Sequence, residues 1–210
     1  MQTLNELLSQ ALSDNQMPLS ADAQDKLIRY LELLRTWNHV FNLTAITEPK
    51  EMVYLHLIDS LAAAPFVTGQ SALDVGSGAG LPGIPLAITH PERKWTTLDK
   101  NSKKTRFLTQ VIAELALPNV QAIYSRCEDF RPATGFDSIL SRAYGTLALF
   151  VESTEHLLNS SGIFIAMKGK YPEDELAHLP ERVEIVDVKR IALKGMDVER
   201  HIVLMRKKES

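Results

Sequence analysis

Residues 73–88 read LDVGSGAGLPGIPLAI, and the order of residue types in this stretch decides the fold of the chain around it. Leu73 and Val75 flank Asp74, glycines alternate at 76, 78 and 80, and Gly83 follows within an apolar run. A strand ending at Val75 feeds a glycine turn, and a helix starts near Leu81 or Pro82. Glycines admit positive φ angles and let a ligand lie against bare backbone. The helix behind such a turn presents unpaired N–H groups to whatever binds there. Asp74 is the uncommon feature, because it puts a carboxylate beside the same ligand.

On either side of the turn the pattern divides the chain. Strands are expected near 71–75, 94–98, 120–124, 136–140 and 162–167, with helices near 82–89, 102–116 and 145–159. Two more strands, from Val183 and from His201, have no long helix between them and read as an antiparallel edge hairpin. Strand and helix in alternation mean an α/β fold, a doubly wound and mostly parallel seven-stranded sheet with right-handed crossovers. Residues 1–66 read instead as a helical extension packed on the 67–210 domain. Leu4, Leu7, Leu8 and Leu12 recur at helical spacing. Ser20 or Asp22 caps a second helix with Leu27, Ile28, Leu31, Leu34 and Trp37 on one stripe. Pro49 opens a third, with Met52, Val53, Leu55, Ile58, Leu61 and Ala62 inward, and Pro65 ends it.

With 45% hydrophobic and 23% charged residues, the 210-residue chain can bury a sizeable core. It has no run of 18 apolar residues, and MQTLNELLSQ at the start lacks the basic-then-apolar order of a signal peptide. Cys127 is the single cysteine, which rules out an internal disulfide and a cysteine-based zinc cluster. A cytoplasmic protein without membrane contact or bound metal is expected, working as a monomer. The net charge of −3 does not advertise a nucleic-acid binder, but its distribution is uneven. Residues 1–71 hold four Lys/Arg against eight Asp/Glu, whereas 93–131 hold eight against four. Such a basic block suits phosphates, or the solvated face of a helix.

The spacing of the turn discriminates between cofactors. A nicotinamide fingerprint, G-x-G-x-x-G, needs a third glycine where this chain has Leu81, and the lysine of a P-loop is absent. What stands here is D-x-G-x-G-x-G, from Asp74 to Gly80. An acid two residues before the first glycine repels a pyrophosphate but suits a cationic aminoacyl group. S-adenosylmethionine has that group, a sulfonium and no phosphate. Asp99 closes the next strand 25 residues on, where an acid holds ribose hydroxyls or, alternatively, caps the following helix.

Further stretches extend the reading: WNHVFNLTAI at 37–46, HLIDS at 56–60, KKTRFL at 103–108, SRCEDF at 125–130, ILSRA at 139–143, MKG at 167–169 and DVERHIV at 197–203. With the glycine turn, they make the chain similar to the class I S-adenosylmethionine-dependent methyltransferases. More narrowly, it resembles the bacterial ribosomal small-subunit methyltransferase G (glucose-inhibited division protein B) family over nearly its whole length. Ser77, where threonine is also usual, and Cys127, where a small apolar residue is common, are minor departures. The resemblance implies a Rossmann-like fold and methylation of a guanine N7 in 16S rRNA, free or in the 30S subunit. It also implies cofactor contacts at Asp74, Gly76, Gly78, Gly80, Leu81, Asp99, Cys127, Glu128 and Arg142.

The remaining residues are consistent with that chemistry. Guanine N7 carries a lone pair and no proton, so it needs alignment and exclusion of water rather than a general base. Cys127 sits in the cofactor arm and reads as a packing residue, not the covalent nucleophile of a pyrimidine-C5 enzyme. Arg142, in SRAY after the fourth strand, replaces the Asn/Asp-Pro-Pro-aromatic motif of amine methyltransferases. An arginine suits guanine, with its adjacent acceptors, or a phosphate, so Arg142 is the expected catalytic, substrate-positioning group. Its plain structural alternative is a pair with Asp137 or another loop acid. Lys100, Lys103, Lys104, Arg106, Arg126, Lys168, Arg200 and His201 are the expected RNA contacts. For Arg200 the alternative is a local salt bridge with Glu199. Trp37, Phe41 and Asn42 could meet RNA or a cofactor lid, although aromatics at helical spacing are more often core.

Overall fold

The computed structural model describes residues 2–208. Seven strands form one sheet in the order β3-β2-β1-β4-β5-β7-β6. They are β1 (Ser71–Val75), β2 (Lys94–Asp99), β3 (Val120–Tyr124), β4 (Phe136–Arg142), β5 (Leu158–Lys168), β6 (Val183–Arg190) and β7 (His201–Lys207). The first five are parallel, while β7 runs antiparallel between β5 and β6. The antiparallel hairpin expected at the edge is there, with β7 as its inner strand and β6 at the edge. Sequence order reverses between β1 and β4, and at that point a parallel α/β sheet opens a crevice at its carboxyl edge.

Five helices precede β2: α1 (Leu4–Asp14), α2 (Ala21–Phe41), α3 (Pro49–Glu51), α4 (Asp59–Leu61) and α5 (Gly83–Thr89). The others are α6 (Ser102–Glu114), α7 (Leu147–Thr154) and the short α8 (Glu173–Ala177), which no sequence pattern announced. Thr3 caps α1 in a reciprocal box with Glu6, at 3.2 and 2.8 Å. Ser20 rather than Asp22 caps α2. Between α3 and α4 the chain does not stay α-helical, because Met52–Ile58 is a π-helix. The wider turn changes which side chains face inward. Tyr54, His56 and Leu57 are buried and Leu55 is only half-buried, against the α-periodic expectation. Two other boundaries move: the helix expected over 145–159 ends at Thr154, a single 3-10 turn follows, and β5 starts four residues early.

Alternation along the strands sorts the core into two layers. Ala72, Leu140, Ile165, Ile202 and Leu204 face one side, with α1, α2, the π-helical stretch, α5 and α6. Leu73, Ile139, Phe164, Val203 and Met205 face the other, with Phe150 and Val151 of α7. The first 66 residues thus supply much of one whole layer rather than lying beside it. Tyr30, fully buried in α2, donates its hydroxyl to Ala79 O at 2.8 Å and ties that layer to the glycine turn.

Candidate active site

The carboxyl ends of β1, β2, β3 and β4 open into a cleft of about 430 Å³. Gly76, the first glycine of the turn, lines it, and Gly76, Gly78 and Gly80 take φ of +65, +58 and +92°. Only Gly78 faces free space, with nothing nearer than 3.8 Å to a Cβ placed there. Gly76 is bare for another reason, since its Cβ would stand 2.8 Å from the Tyr144 ring. The turn is knit to β2: Ser77 Oγ donates to Asp74 O and accepts from Leu98 N, at 2.8 and 3.1 Å. Asp99, at the end of β2, accepts from Gly78 N at 2.9 Å and from Asn101 N at 2.8 Å. It lines the cleft with Lys100, Lys104, Arg126, Cys127 and Glu128.

Asp74 is not on the cleft wall. It lies wholly buried beneath the turn, where its Oδ2 accepts from Gly83 N at 3.0 Å and so caps α5. Its Oδ1 has no partner, and burial pushes its pKa up to about 7. Leu81 likewise turns into the core, and Gly80 packs against Ile84 and Leu108. The Cys127 thiol is buried and accepts the Tyr144 hydroxyl proton at 3.2 Å, and burial pushes its pKa up. A nucleophile needs the opposite shift.

A second cleft, of about 490 Å³, lies across Ala143, whose φ of +59° is unusual for a residue with a side chain. Ala143 borders both cavities. The second is lined by Thr44–Ile46, His56, Asp59, Arg142, Lys168, Gly169 and Arg200. Asp59 is 2% exposed and holds two arginines at once: Oδ2 meets Arg142 Nη1 at 3.1 Å and Oδ1 meets Arg200 Nε at 2.6 Å. Arg142 also donates to Leu55 O at 2.8 Å. His56 shares a hydrogen bond with Thr44 Oγ1, at 3.1 Å, through its Nε2. Burial, helped by Arg142, pushes the His56 pKa down to about 4, so the ring is neutral at ordinary pH.

A model of the family described as rRNA small subunit methyltransferase G matches residues 23–203. The ribosomal RNA small subunit methyltransferase G of Laribacter hongkongensis is 48% identical over 95% of this chain and 97% of its own length. That of Vibrio cholerae is 40% identical over 99% and 100%. The chain belongs to this family. Solved structures show the same fold at low identity. Coclaurine N-methyltransferase bound to N-methylheliamine and S-adenosylhomocysteine superposes with a TM-score of 0.59 at 12% identity, over 97% of this chain and 93% of its own. The 1,6-didemethyltoxoflavin-N1-methyltransferase of Burkholderia thailandensis, with bound 1,6-didemethyltoxoflavin and S-adenosylhomocysteine, gives 0.59 at 15%, over 91% and 92%.

For a member of the methyltransferase G family, the expected substrate contacts divide sharply. Lys100, Lys104 and Arg126 stand on the first cleft, and Lys103 and Arg106 project outward from α6. These five form no salt bridge among the described residues. Arg200 reaches Asp59 instead of the Glu199 carboxylate, which pairs with Arg190. Lys168 is engaged by both oxygens of Glu175, at 2.7 and 3.0 Å, and by Gly145 O. His201 is buried, its Nδ1 bonded to Gly169 O at 3.1 Å, so it faces the protein rather than a partner. Asp137 is no partner of Arg142: it binds Gln70 N, Ser71 and Asn159 at the other end of β4. His56 and Asp59 line the second cleft without any expectation from the sequence that they would. Their only sequence signal was HLIDS, a motif without a chemistry of its own.

Among the described residues no helix is long and apolar enough to cross a membrane, and no three metal-ligating side chains gather.

Proposed function

We propose that this chain transfers the methyl group of S-adenosylmethionine directly to the N7 of a guanine in 16S rRNA. The observation that carries the reading is the meeting of two clefts at Ala143: one lined by the first glycine of the turn and closed by an acid, the other rimmed by paired arginines. The first suits S-adenosylmethionine by its donor set. Gly78 leaves room for close approach, Asp99 stands where nucleoside hydroxyls are held, and no lysine of a phosphate-binding loop is present. Buried Asp74, with an acceptor oxygen free, puts a carboxyl under the turn without inviting a phosphate. When bound, S-adenosylmethionine supplies a methyl group on a positively charged sulfur.

The chain's own residues then have a limited task. N7 carries no proton, so no side chain must remove one, and the neutral His56 is not needed as a base. Arg142 and Arg200, spread from a single carboxylate, present donors for a guanine O6 or an adjoining phosphate. Lys100, Lys104, Arg126, Lys103 and Arg106 add positive charge along the RNA path. Holding N7 in line is worth as much here as acid–base help is elsewhere. Tritiated methyl transfer to 16S RNA and to 30S particles, followed by nucleoside analysis, tests the reading. Label in 7-methylguanosine is expected; label in another nucleoside, or in neither substrate, overturns it.

A further inference from the structure

We propose that Tyr171 is a stacking platform for an RNA base beside the methylated guanine. The proposal rests on the reading of the chain as an rRNA methyltransferase. Tyr171 is 53% exposed, a large share for an aromatic ring. Yet the ring is not loose: it meets His201 at a centroid distance of 5.7 Å and an interplanar angle of 82°. In that T-shaped contact at least one face of the tyrosine stays free, whichever ring supplies the edge. His201 is itself fixed, buried in β7 and bonded to Gly169 O. The histidine expected to touch RNA is therefore the buttress of the ring that does.

Position selects the ligand. Gly169 and Arg200 line the arginine cleft, and Tyr171 and His201 follow them by two residues and one. In extended chain that puts Tyr171 within roughly 7 Å of the cleft lip, a side chain's reach from a neighbouring nucleotide. Lys170 is exposed next to it. A rigid aromatic face interleaved with cations is how proteins hold unpaired bases, by stacking that tolerates any base.

The test uses whichever of 16S RNA and 30S particles the unsubstituted chain methylates. Tyr171→Ala is expected to raise KM for RNA roughly 10-fold while kcat and S-adenosylmethionine affinity stay within about twofold. Tyr171→Phe and Tyr171→Trp, which keep a stacking face, are expected to stay within about twofold of the original KM. An unchanged KM in Tyr171→Ala sinks the proposal, as does Phe behaving like Ala, which would mean the hydroxyl and not the face is used. If the unsubstituted chain methylates neither RNA, the functional reading falls and the proposal with it. Normal methylation with an unmoved KM removes the proposal alone.

Discussion

The first cleft is assembled from short, ordered stretches of sequence: the turn at 76–80, Asp99 one strand later, and the loop at 125–128. The arginine cleft is assembled from distance. Asp59 comes from α4, Arg142 from the end of β4 and Arg200 from the residue before β7, 83 and 141 positions away from that aspartate. A local motif carries its own geometry, because backbone torsions and the neighbouring strand dictate it. A convergent site is fixed only when the layers pack, and its pivot here belongs to the helical segment outside the methyltransferase sheet. The first 66 residues thus supply the carboxylate on which the arginine cleft turns.

The largest effect is expected at that pivot. Asp59→Asn leaves Arg142 and Arg200 without a shared carboxylate, and both can turn toward water. Loss of alignment by an ångström is worth about 100-fold in rate, so methyl transfer to RNA should fall at least that far. Binding of S-adenosylmethionine, measured by calorimetry, should hardly change, since no part of the glycine cleft rests on Asp59. Arg142→Ala should likewise lose RNA methylation far more than folding, and the double variant should be little worse than either. Equal losses of cofactor binding and transfer would show the two clefts to be one energetic unit.

A smaller effect, on the opposite side, is expected from Gly78→Ala. A Cβ there meets its neighbours only at van der Waals distance, so packing does not forbid it, but the φ of +58° strains any side chain by about 1–2 kcal/mol. The added methyl would stand beside Gly76 O and Lys104 Nζ, at 3.8 and 3.9 Å, and both of those residues line the first cleft. Calorimetry should show S-adenosylmethionine bound about 10-fold more weakly, with the KM for RNA little changed. Full retained affinity would mean that the cofactor does not lie against Gly78.

These contrasts match what could be read from residues in order. The glycine turn, the strands and the cap of α2 were legible because each depends on neighbours a few positions apart. The π-helical stretch was not, since its extra residue per turn has no hydrophobic signature, and so Leu55 was placed inward and Leu57 overlooked. Lys168 and His201 were read as contacts because charge in a motif is visible. The Glu175 carboxylate and the Gly169 carbonyl that engage them leave no such mark. Asp74 marks the turn in the sequence, whereas its place under the backbone, bonded to Gly83 N, is set only by the fold.

The smallest effect separates two buried groups that titrate in opposite senses. Asp74, fully buried, bonded to Gly83 N, with Ser77 beside it and the charges of Arg142 and Asp99 acting through space, has its folded pKa raised from 3.8 to about 7. Its contribution to stability is complete below pH 3.8 and is lost as pH rises toward 7. His56, beside Arg142, Asp59 and the Leu55 backbone, has its folded pKa lowered from 6.5 to about 4. Its contribution is complete above pH 6.5 and is lost as pH falls toward 4. Between about pH 4 and 6.5 the two slopes oppose each other, so the unsubstituted chain should show little net change from this pair. Asp74→Asn keeps an acceptor for Gly83 N and removes one slope. Its melting temperature, relative to the unsubstituted chain, should therefore rise with pH by at least about 2–4 °C, the equivalent of about 1 kcal/mol. His56→Gln should show the mirror image, gaining as pH falls. Parallel melting curves from pH 4.5 to 7.5 for Asp74→Asn and the unsubstituted chain would mean that the carboxyl beneath the turn is charged throughout, with a counter-charge supplied by Arg142 across the wall between the clefts.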